Sequence, residues 1–149
     1  MPGEFTTRFD KEILKSHLAE QQKKALEAQK EQSEQSRVEN EVKEIGKILE
    51  RRAPFLRERF PNAQQETVDY TGFKLNFAQT GERKSASFFL RTRLNDSKMA
   101  ILVESQYEIP SRNIKEYDYI SLATVKVDMD KAKRFIEAKL LDFARIYVG

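Results

Sequence analysis

Three stretches of the chain alternate apolar and polar residues, and this pattern constrains the fold more than any other feature. Phe73, Leu75 and Phe77 alternate within the first stretch, residues 66–78. The second stretch covers residues 85–94 and the third covers 99–109, each preceded by a turn-forming segment, QTGERK or NDSK. Because successive side chains of a β-strand point to opposite faces, the pattern predicts an antiparallel meander with one buried face.

The register of these strands follows from the length of the turns. A four-residue loop at 95–98 places Leu94 opposite Met99 and Phe88 opposite Ser105. The same register pairs Thr92 with Ile101, Leu90 with Val103 and Ala86 with Tyr107. In the preceding hairpin the predicted pairs are Phe77 with Ala86, Leu75 with Phe88 and Phe73 with Leu90. All three strands therefore direct their apolar residues to the same face, and a slip of one residue would reverse this.

A fourth strand and a helix are predicted to complete this part of the chain. The strand is YISLATVKV, residues 119–127, which follows a polar break at residues 110–118. In the helix, Asp128 or Asp130 is a suitable N-cap. Apolar residues then recur at helical spacing: Ala132, Phe135, Ile136, Leu140, Phe143, Ala144 and Tyr147. We expect this amphipathic helix to cover the apolar face of the sheet, which makes the fold class α+β.

The N-terminal third of the chain reads as a long helix. Residues 10–52 contain no proline and a single glycine, and they are rich in Glu, Lys, Gln and Ala. Near the end of this segment the 4-3-4 spacing of a coiled coil predicts an oligomer seam made of Val38, Val42, Ile45 and Leu49. Seam positions before residue 38 are mostly polar. The expected partner is another protein chain, identical or different.

Domain limits follow from these elements. We interpret MPGEF, residues 1–5, as a cloning remnant, residues 6–52 as a helical arm that is coiled-coil-like from 38, and residues 53–149 as the α+β domain. Pro54 is expected to end or kink the long helix and to open a short helix over residues 53–60, because proline lacks the N–H that a continuing helix needs.

The residue types exclude several kinds of chemistry. The chain has no cysteine, so thiol catalysis, disulfides and thiolate metal sites are excluded. His17 is the only histidine and has no evident orienting partner, and no phosphate-binding or nucleophile motif is present. We therefore predict no catalytic residues, no metal and no cofactor. The chain has no signal-peptide pattern and no apolar run long enough for a membrane span, which predicts an intracellular protein with no membrane partner.

The second face of the predicted sheet carries residues that are unusual for a solvated surface. They are Lys74, Phe89, Arg91, Arg93 and Leu102. The predicted register sets Arg93 beside Ala100, Arg91 beside Leu102 and Phe89 beside Glu104. Three interpretations remain open: a protein-docking surface, a face covered by the short helix 53–60, or a platform for single-stranded nucleic acid.

A basic segment lies where the helical arm meets the sheet domain. RRAPFLRER contains Arg51, Arg52, Arg57 and Arg59 with one glutamate. This cluster is either a site for phosphates or an acidic partner, or a solvated helix junction with local Glu–Arg pairs. If it binds phosphates, it would join the second face of the sheet in a nucleic-acid-binding surface.

The order of these elements resembles the coiled-coil–RWD subunits of kinetochore linker complexes. The resemblance rests on the stripe from Val38 to Leu49, the strands FKLNF and SFFLRTRL, and the closing helix FIEAKLLDFARIYV. It implies a non-catalytic role in dimerisation and docking. The leading hypothesis is accordingly a protein-interaction module that oligomerises through its helix and docks a partner on the α+β domain, and the alternative is a nucleic-acid-binding protein.

Overall fold

The computed structural model describes residues 2–149, with the side chains of residues 7–149 apart from Glu31. Its elements in chain order are α1 (Pro2–Arg59), β1 (Ala63–Glu66), β2 (Thr71–Phe77), β3 (Ala86–Leu94), β4 (Ala100–Ile109), a 3₁₀ turn (Pro110–Arg112), β5 (Ile114–Ala123) and α2 (Met129–Val148). The predicted α+β class with an antiparallel meander is confirmed. The chain divides between Glu39 and Asn40 into two compact units, of which the second contains the whole sheet.

The sheet has five strands in the order β1-β2-β3-β4-β5, one more than predicted. The extra strand, β1, reads AQQE and exposes its last three residues, so it carries no apolar alternation that could reveal it. The last strand begins at Ile114 rather than 119, because the charged segment IKEYD belongs to the strand and not to a break. Both misjudged segments lie at the edges of the sheet, where one side of a strand has no neighbour and polar residues are tolerated.

The register between β2 and β3 is the predicted one, with Phe77 opposite Ala86 and Phe73 opposite Leu90. Between β3 and β4 it is shifted by two residues, so that Leu94 faces Ile101 and not Met99. The reason is a longer turn.

In that turn the Oδ1 atom of Asn95 accepts hydrogen bonds from the backbone N–H groups of Met99 and Ala100, at 3.0 and 3.1 Å. Lys98 has a φ of 58°, in the left-handed region. The loop therefore closes on Ala100, whose carbonyl oxygen accepts a hydrogen bond from the N–H of Asn95 at 2.9 Å. A shift of two keeps every side chain on its predicted face.

The inner face of the sheet forms the core, as predicted. Phe88, Leu90, Ile101 and Val103 are all buried there. Helix α2 covers them: the ring of Phe143 stacks on Phe88 with a centroid distance of 4.7 Å. Burying each such side chain contributes about 1.5–3 kcal/mol of hydrophobic stabilisation.

Helix α2 begins at the predicted cap. The Oδ1 atom of Asp128 accepts a hydrogen bond from the N–H of Lys131 at 3.1 Å, which satisfies one of the amide groups left unpaired at a helix start.

The last turns of α1, and Phe60 directly after it, pack on the same inner face. Phe60 makes an edge-to-face contact with Phe77 at 5.7 Å, and Gly46 lies so close to Thr71, an inner-face residue of β2, that a β-carbon would be 2.5 Å from its methyl group. Beside the sheet, Arg52 of α1 bonds to Glu137 of α2 at 3.4 Å. The part of α1 that belongs to the second unit therefore lies beside α2 over one face. The interpretation in which residues 53–60 cover the second face is wrong.

Pro54 does not end α1, which continues to Arg59. The residue is exposed, while its neighbour Ala53 and then Leu56 point into the core. The hydrogen bond that proline cannot donate would have gone to the carbonyl of Glu50. Glu50 is exposed as well, so solvent can hydrate that carbonyl and the helix tolerates the proline.

Half of the predicted oligomer seam belongs to this core. Ile45 and Leu49 are 0 % exposed in the single chain. They cannot meet a partner helix without leaving the core, so for these two residues the seam is corrected to an intramolecular contact. Val38 and Val42 are half-buried. Their predicted role in a seam stays a prediction.

Candidate interaction surface

The outer face of the sheet is the side opposite α2 and the last turns of α1. It is formed by every second residue of the strands, among them Lys74, Phe89, Arg91, Arg93, Leu102, Glu104, Gln106, Tyr117 and Tyr119. Alternation assigns the residues of β2, β3 and β4 to one side, because the residues between them are the buried set of the inner face, and the residues of β5 follow from their pairing with β4. The aromatic and charged character of this face is therefore available to a ligand or a partner.

A glutamate and two arginines form the centre of the outer face. Glu104 is 1 % exposed although it points away from the core. Its Oε2 atom accepts a 2.6 Å hydrogen bond from Nε of Arg91, whose Nη2 contacts the same oxygen. Its Oε1 atom accepts hydrogen bonds from Nε and Nη2 of Arg93, at 3.2 and 3.0 Å. The two guanidinium groups thus cover the carboxylate, and their bonds to it hold both arginine side chains in place.

The arrangement shifts the ionisation of the groups involved. Burial alone would raise the pKa of Glu104, but hydrogen bonds from Tyr117, Arg91 and Arg93 and the charge of Arg91 lower it below its usual value. The pKa of Tyr117 is raised, first by burial and then by its hydrogen bond to the negative Glu104. At neutral pH the carboxylate is therefore charged, and it neutralises part of the positive charge of the two arginines.

Aromatic rings flank this centre on both sides. On one side Tyr70 lies 6.0 Å from Phe89, and the guanidinium of Arg91 lies 5.6 Å from the Tyr70 ring and 5.8 Å from the Phe89 ring. On the other side Tyr117 and Tyr119 lie 6.4 Å apart, and they are 51 % and 56 % exposed. Cation–π contacts hold the first pair, whereas each residue of the second pair leaves about half of its surface in contact with solvent.

Gly72 is required between Tyr70 and the arginine centre. It pairs with Arg91 on β3 and has a φ of 145°, which residues with a side chain rarely adopt. A β-carbon there would also lie 2.0 Å from the carbonyl oxygen of Leu90. The glycine therefore allows the two strands to approach closely at the point where Tyr70 enters the outer face.

The residues predicted for this surface are found on it, with changes in pairing and exposure. Arg91 pairs with Glu104 rather than Leu102, Arg93 pairs with Leu102 rather than Ala100, and Phe89 pairs with Gln106. Leu102 is only 9 % exposed, so it is not an exposed apolar anchor. Lys74 is half-buried and pairs with Glu66 at 3.1 Å.

The basic segment of α1 lies elsewhere. Arg51, Arg52, Arg57 and Arg59 belong to the helix that covers the inner face, so the sheet separates them from Arg91 and Arg93. The Arg59 guanidinium stacks on the ring of Phe55 at 3.6 Å and donates to the carbonyl of the same residue at 3.3 Å. The structure does not bring the two arginine groups into one surface.

Sequence reasoning missed Tyr70, Tyr117 and Tyr119. Tyr117 lies within the segment interpreted as a polar break, and Tyr119 is the first residue of the predicted fourth strand, where its side chain was not assigned to the outer face. Their alternation in KEYDYIS, with tyrosine at every second position, was the signal for a half-exposed edge strand. Glu104 and Glu108 lie four residues apart on the same face of β4, and the sequence left solvation or cross-strand pairing open for both; Glu104 is paired and buried, whereas Glu108 is exposed.

Comparison with known proteins adds no further assignment. No protein-family model, no curated protein and no solved structure matches this chain. Within the part of the chain that the structure describes, no group of three or more histidine or acidic side chains is arranged to hold a metal ion. No helix among residues 2–149 combines the length and the apolar character that crossing a bilayer needs. The resemblance in layout to RWD subunits stays a prediction.

Proposed function

We propose that this chain is a non-catalytic protein-interaction module that docks a partner protein on its outer face and associates with another helix through α1. The observation that supports docking is the exposed pair Tyr117 and Tyr119 beside a rigid arginine–glutamate centre. Tyrosine and arginine are enriched at the residues that carry most of the binding energy in interfaces. The RWD-like layout supports the same role.

The charge of the outer face favours a protein over a nucleic acid. Its four basic residues are Lys74, Arg91, Arg93 and Lys115, and its three acidic residues are Glu66, Glu104 and Glu108. The formal net charge is therefore only +1. Binding to phosphates depends on several cations that are free to replace counterions, whereas both arginines here already donate to Glu104.

The rigidity of the centre also favours docking. An interface loses free energy when it immobilises flexible side chains. Arg91 and Arg93 are held by the carboxylate before any partner arrives, and Arg91 additionally contacts two aromatic rings. A partner would therefore meet a surface that is ordered in advance.

Association through α1 is supported by the first unit of the chain. Its side chains are exposed over residues 7–30, including the large apolar residues Ile13, Leu14, Leu18 and Leu26. A mostly polar helix without tertiary packing is marginal in water. A second helix that covers the apolar residues would stabilise it.

Docking is tested by affinity purification from the source cell with quantitative mass spectrometry and nuclease treatment. The double variant Tyr117→Ala, Tyr119→Ala removes the exposed ring pair. The matched control Leu141→Ala, Val148→Ala removes two apolar side chains of α2 that are also more than half exposed.

We expect specific proteins to be enriched about tenfold less with the tyrosine variant and equally with the control. Identical protein profiles for the two variants would contradict docking on this face. If the co-purifying proteins are lost on nuclease treatment, this would favour the nucleic-acid alternative.

A further inference from the structure

The aromatic residues of the outer face form two sites that are two strands apart. Phe89, Gln106 and Tyr117 are direct neighbours across β3, β4 and β5. Since adjacent strands lie about 4.8 Å apart, the backbones at Phe89 and Tyr117 are separated by about 9.6 Å. Tyr70 enlarges the first site and Tyr119 the second. A ligand that crosses the strands therefore meets an aromatic site at each end of this interval.

This interval matches one regular conformation of an extended peptide. A polyproline II helix has three residues per turn and a rise of about 3.1 Å per residue, so the same side of the helix recurs every 9.3 Å or so. A β-strand presents side chains on one face about every 6.8 Å and fits the interval poorly. Prolines three residues apart in a polyproline II helix would reach both aromatic sites.

The chemistry between the two sites fits such a ligand. A polyproline II helix forms no internal hydrogen bonds, so its carbonyl groups need donors when they leave water. In the described part of the chain the Tyr119 hydroxyl has no hydrogen-bond partner and is free to donate. Glu104 offsets one of the two positive charges of Arg91 and Arg93 and occupies donors of both, so the centre does not depend on a charged ligand to satisfy it.

We infer that the outer face binds a proline-rich segment of a partner protein in the polyproline II conformation. The segment crosses β3, β4 and β5, with one proline at Tyr70 and Phe89 and another at Tyr117 and Tyr119. This inference rests on the proposed docking function and adds the chemical class of the partner. Aromatic-lined surfaces recognise such segments because the helix is already ordered and loses little entropy on binding.

The test is a titration of the full chain with fluorescently labelled decaproline, followed by anisotropy. The controls are a (Gly-Ser)₅ peptide of the same length and a ten-nucleotide oligo(dT). We expect decaproline to bind and the two control ligands not to bind. Tyr117→Ala should weaken binding about tenfold, whereas Leu141→Ala, on the exposed side of α2, should change it by less than twofold.

Four outcomes decide the matter. Saturable decaproline binding that is sensitive to Tyr117→Ala supports the inference, and binding that is insensitive to it removes the site assigned here. If decaproline does not bind while partner capture still depends on Tyr117 and Tyr119, the inference is overturned and docking stands. If oligo(dT) binds in place of decaproline and no protein capture depends on these tyrosines, both the inference and the proposed docking function are overturned.

Discussion

At the scale of single residues, Glu104 organises the outer face because both arginines donate to it. The variant Glu104→Gln keeps the shape of the side chain but removes the charge, which leaves two guanidinium groups with weaker acceptors. We expect it to lower the free energy of unfolding at pH 7 by about 1–3 kcal/mol, a range that allows for the access of Arg91 and Arg93 to water. Urea denaturation measures this difference.

The difference in stability between the native chain and Glu104→Gln should also depend on pH. The pKa of Glu104 is lower in the folded chain than in the unfolded chain. Its stabilising effect is therefore complete above the unfolded value, about 4.3, and is lost as the pH falls through the lower folded value. The stability difference between the native chain and Glu104→Gln should shrink when denaturation is repeated at pH 3.

Glu66→Gln is the control, because Glu66 pairs with Lys74 on the same face but is exposed. We expect its urea midpoint at pH 7 to stay close to that of the native chain. If Glu104→Gln behaves like Glu66→Gln, the carboxylate does not organise the centre.

At the scale of elements, the contact between α2 and the sheet is concentrated in Phe143. Its ring stacks on Phe88 at 4.7 Å and on Tyr147 at 5.3 Å. Phe143→Ala should lower the free energy of unfolding by about 3–5 kcal/mol, since it leaves a cavity between helix and sheet. Leu141→Ala, on the exposed side of the same helix, should change it by less than about 0.5 kcal/mol. Chemical denaturation of both variants checks this, and equal effects would mean that α2 does not cover the core.

The elements also show what alternation can and cannot predict. The buried face was predicted correctly because Phe88, Leu90, Ile101 and Val103 have a period of two. The pairing between β3 and β4 was wrong by two residues, because a shift of two preserves that period and only the bonds of Asn95 select the longer turn. β1 was missed because AQQE has no apolar alternation, and the start of β5 was missed because its alternating tyrosines lie among charged residues.

The candidate surface was predicted less completely than the core. Arg91, Arg93 and Phe89 were assigned to the outer face, but Tyr117 joins it only when β5 begins at Ile114, and the face of Tyr119 follows only from the pairing of β5 with β4. Nothing in the pattern distinguishes Glu104 from Glu108. The difference in their burial depends on which cross-strand neighbours are arginines, and therefore on the register that alternation left open.

At the scale of the whole molecule, the burial of Ile45 and Leu49 changes the test of oligomerisation. A charged substitution at Ile45 or Leu49 would disrupt the core of the single chain. A lower oligomeric mass in such a variant would therefore not show that these residues contact a second chain. The double variant Leu14→Asp, Leu18→Asp instead alters exposed residues of the first unit. We expect light scattering to give at least twice the 17.4 kDa of one chain for the native protein and a single chain for the variant.

The unfolding temperature of the sheet domain should be the same in the native chain and in Leu14→Asp, Leu18→Asp, because neither Leu14 nor Leu18 contributes to its core. Ile45→Asp is the contrasting variant and should lower the unfolding temperature. If Leu14→Asp, Leu18→Asp leaves the mass unchanged, α1 does not associate through these residues.

The edge strand β5 has a consequence for how the protein behaves at high concentration. Ten residues of this strand have a neighbour on one side only, a geometry that can recruit further strands and start fibrils. Two acidic residues of β5 face the helices: Glu116 accepts a 2.6 Å hydrogen bond from the Tyr107 hydroxyl, and Asp118 pairs with Lys139 at 2.5 Å. A strand added from another molecule would have to place its own side chains beside these carboxylates, and this opposes amyloid-like growth while the tyrosines remain displayed.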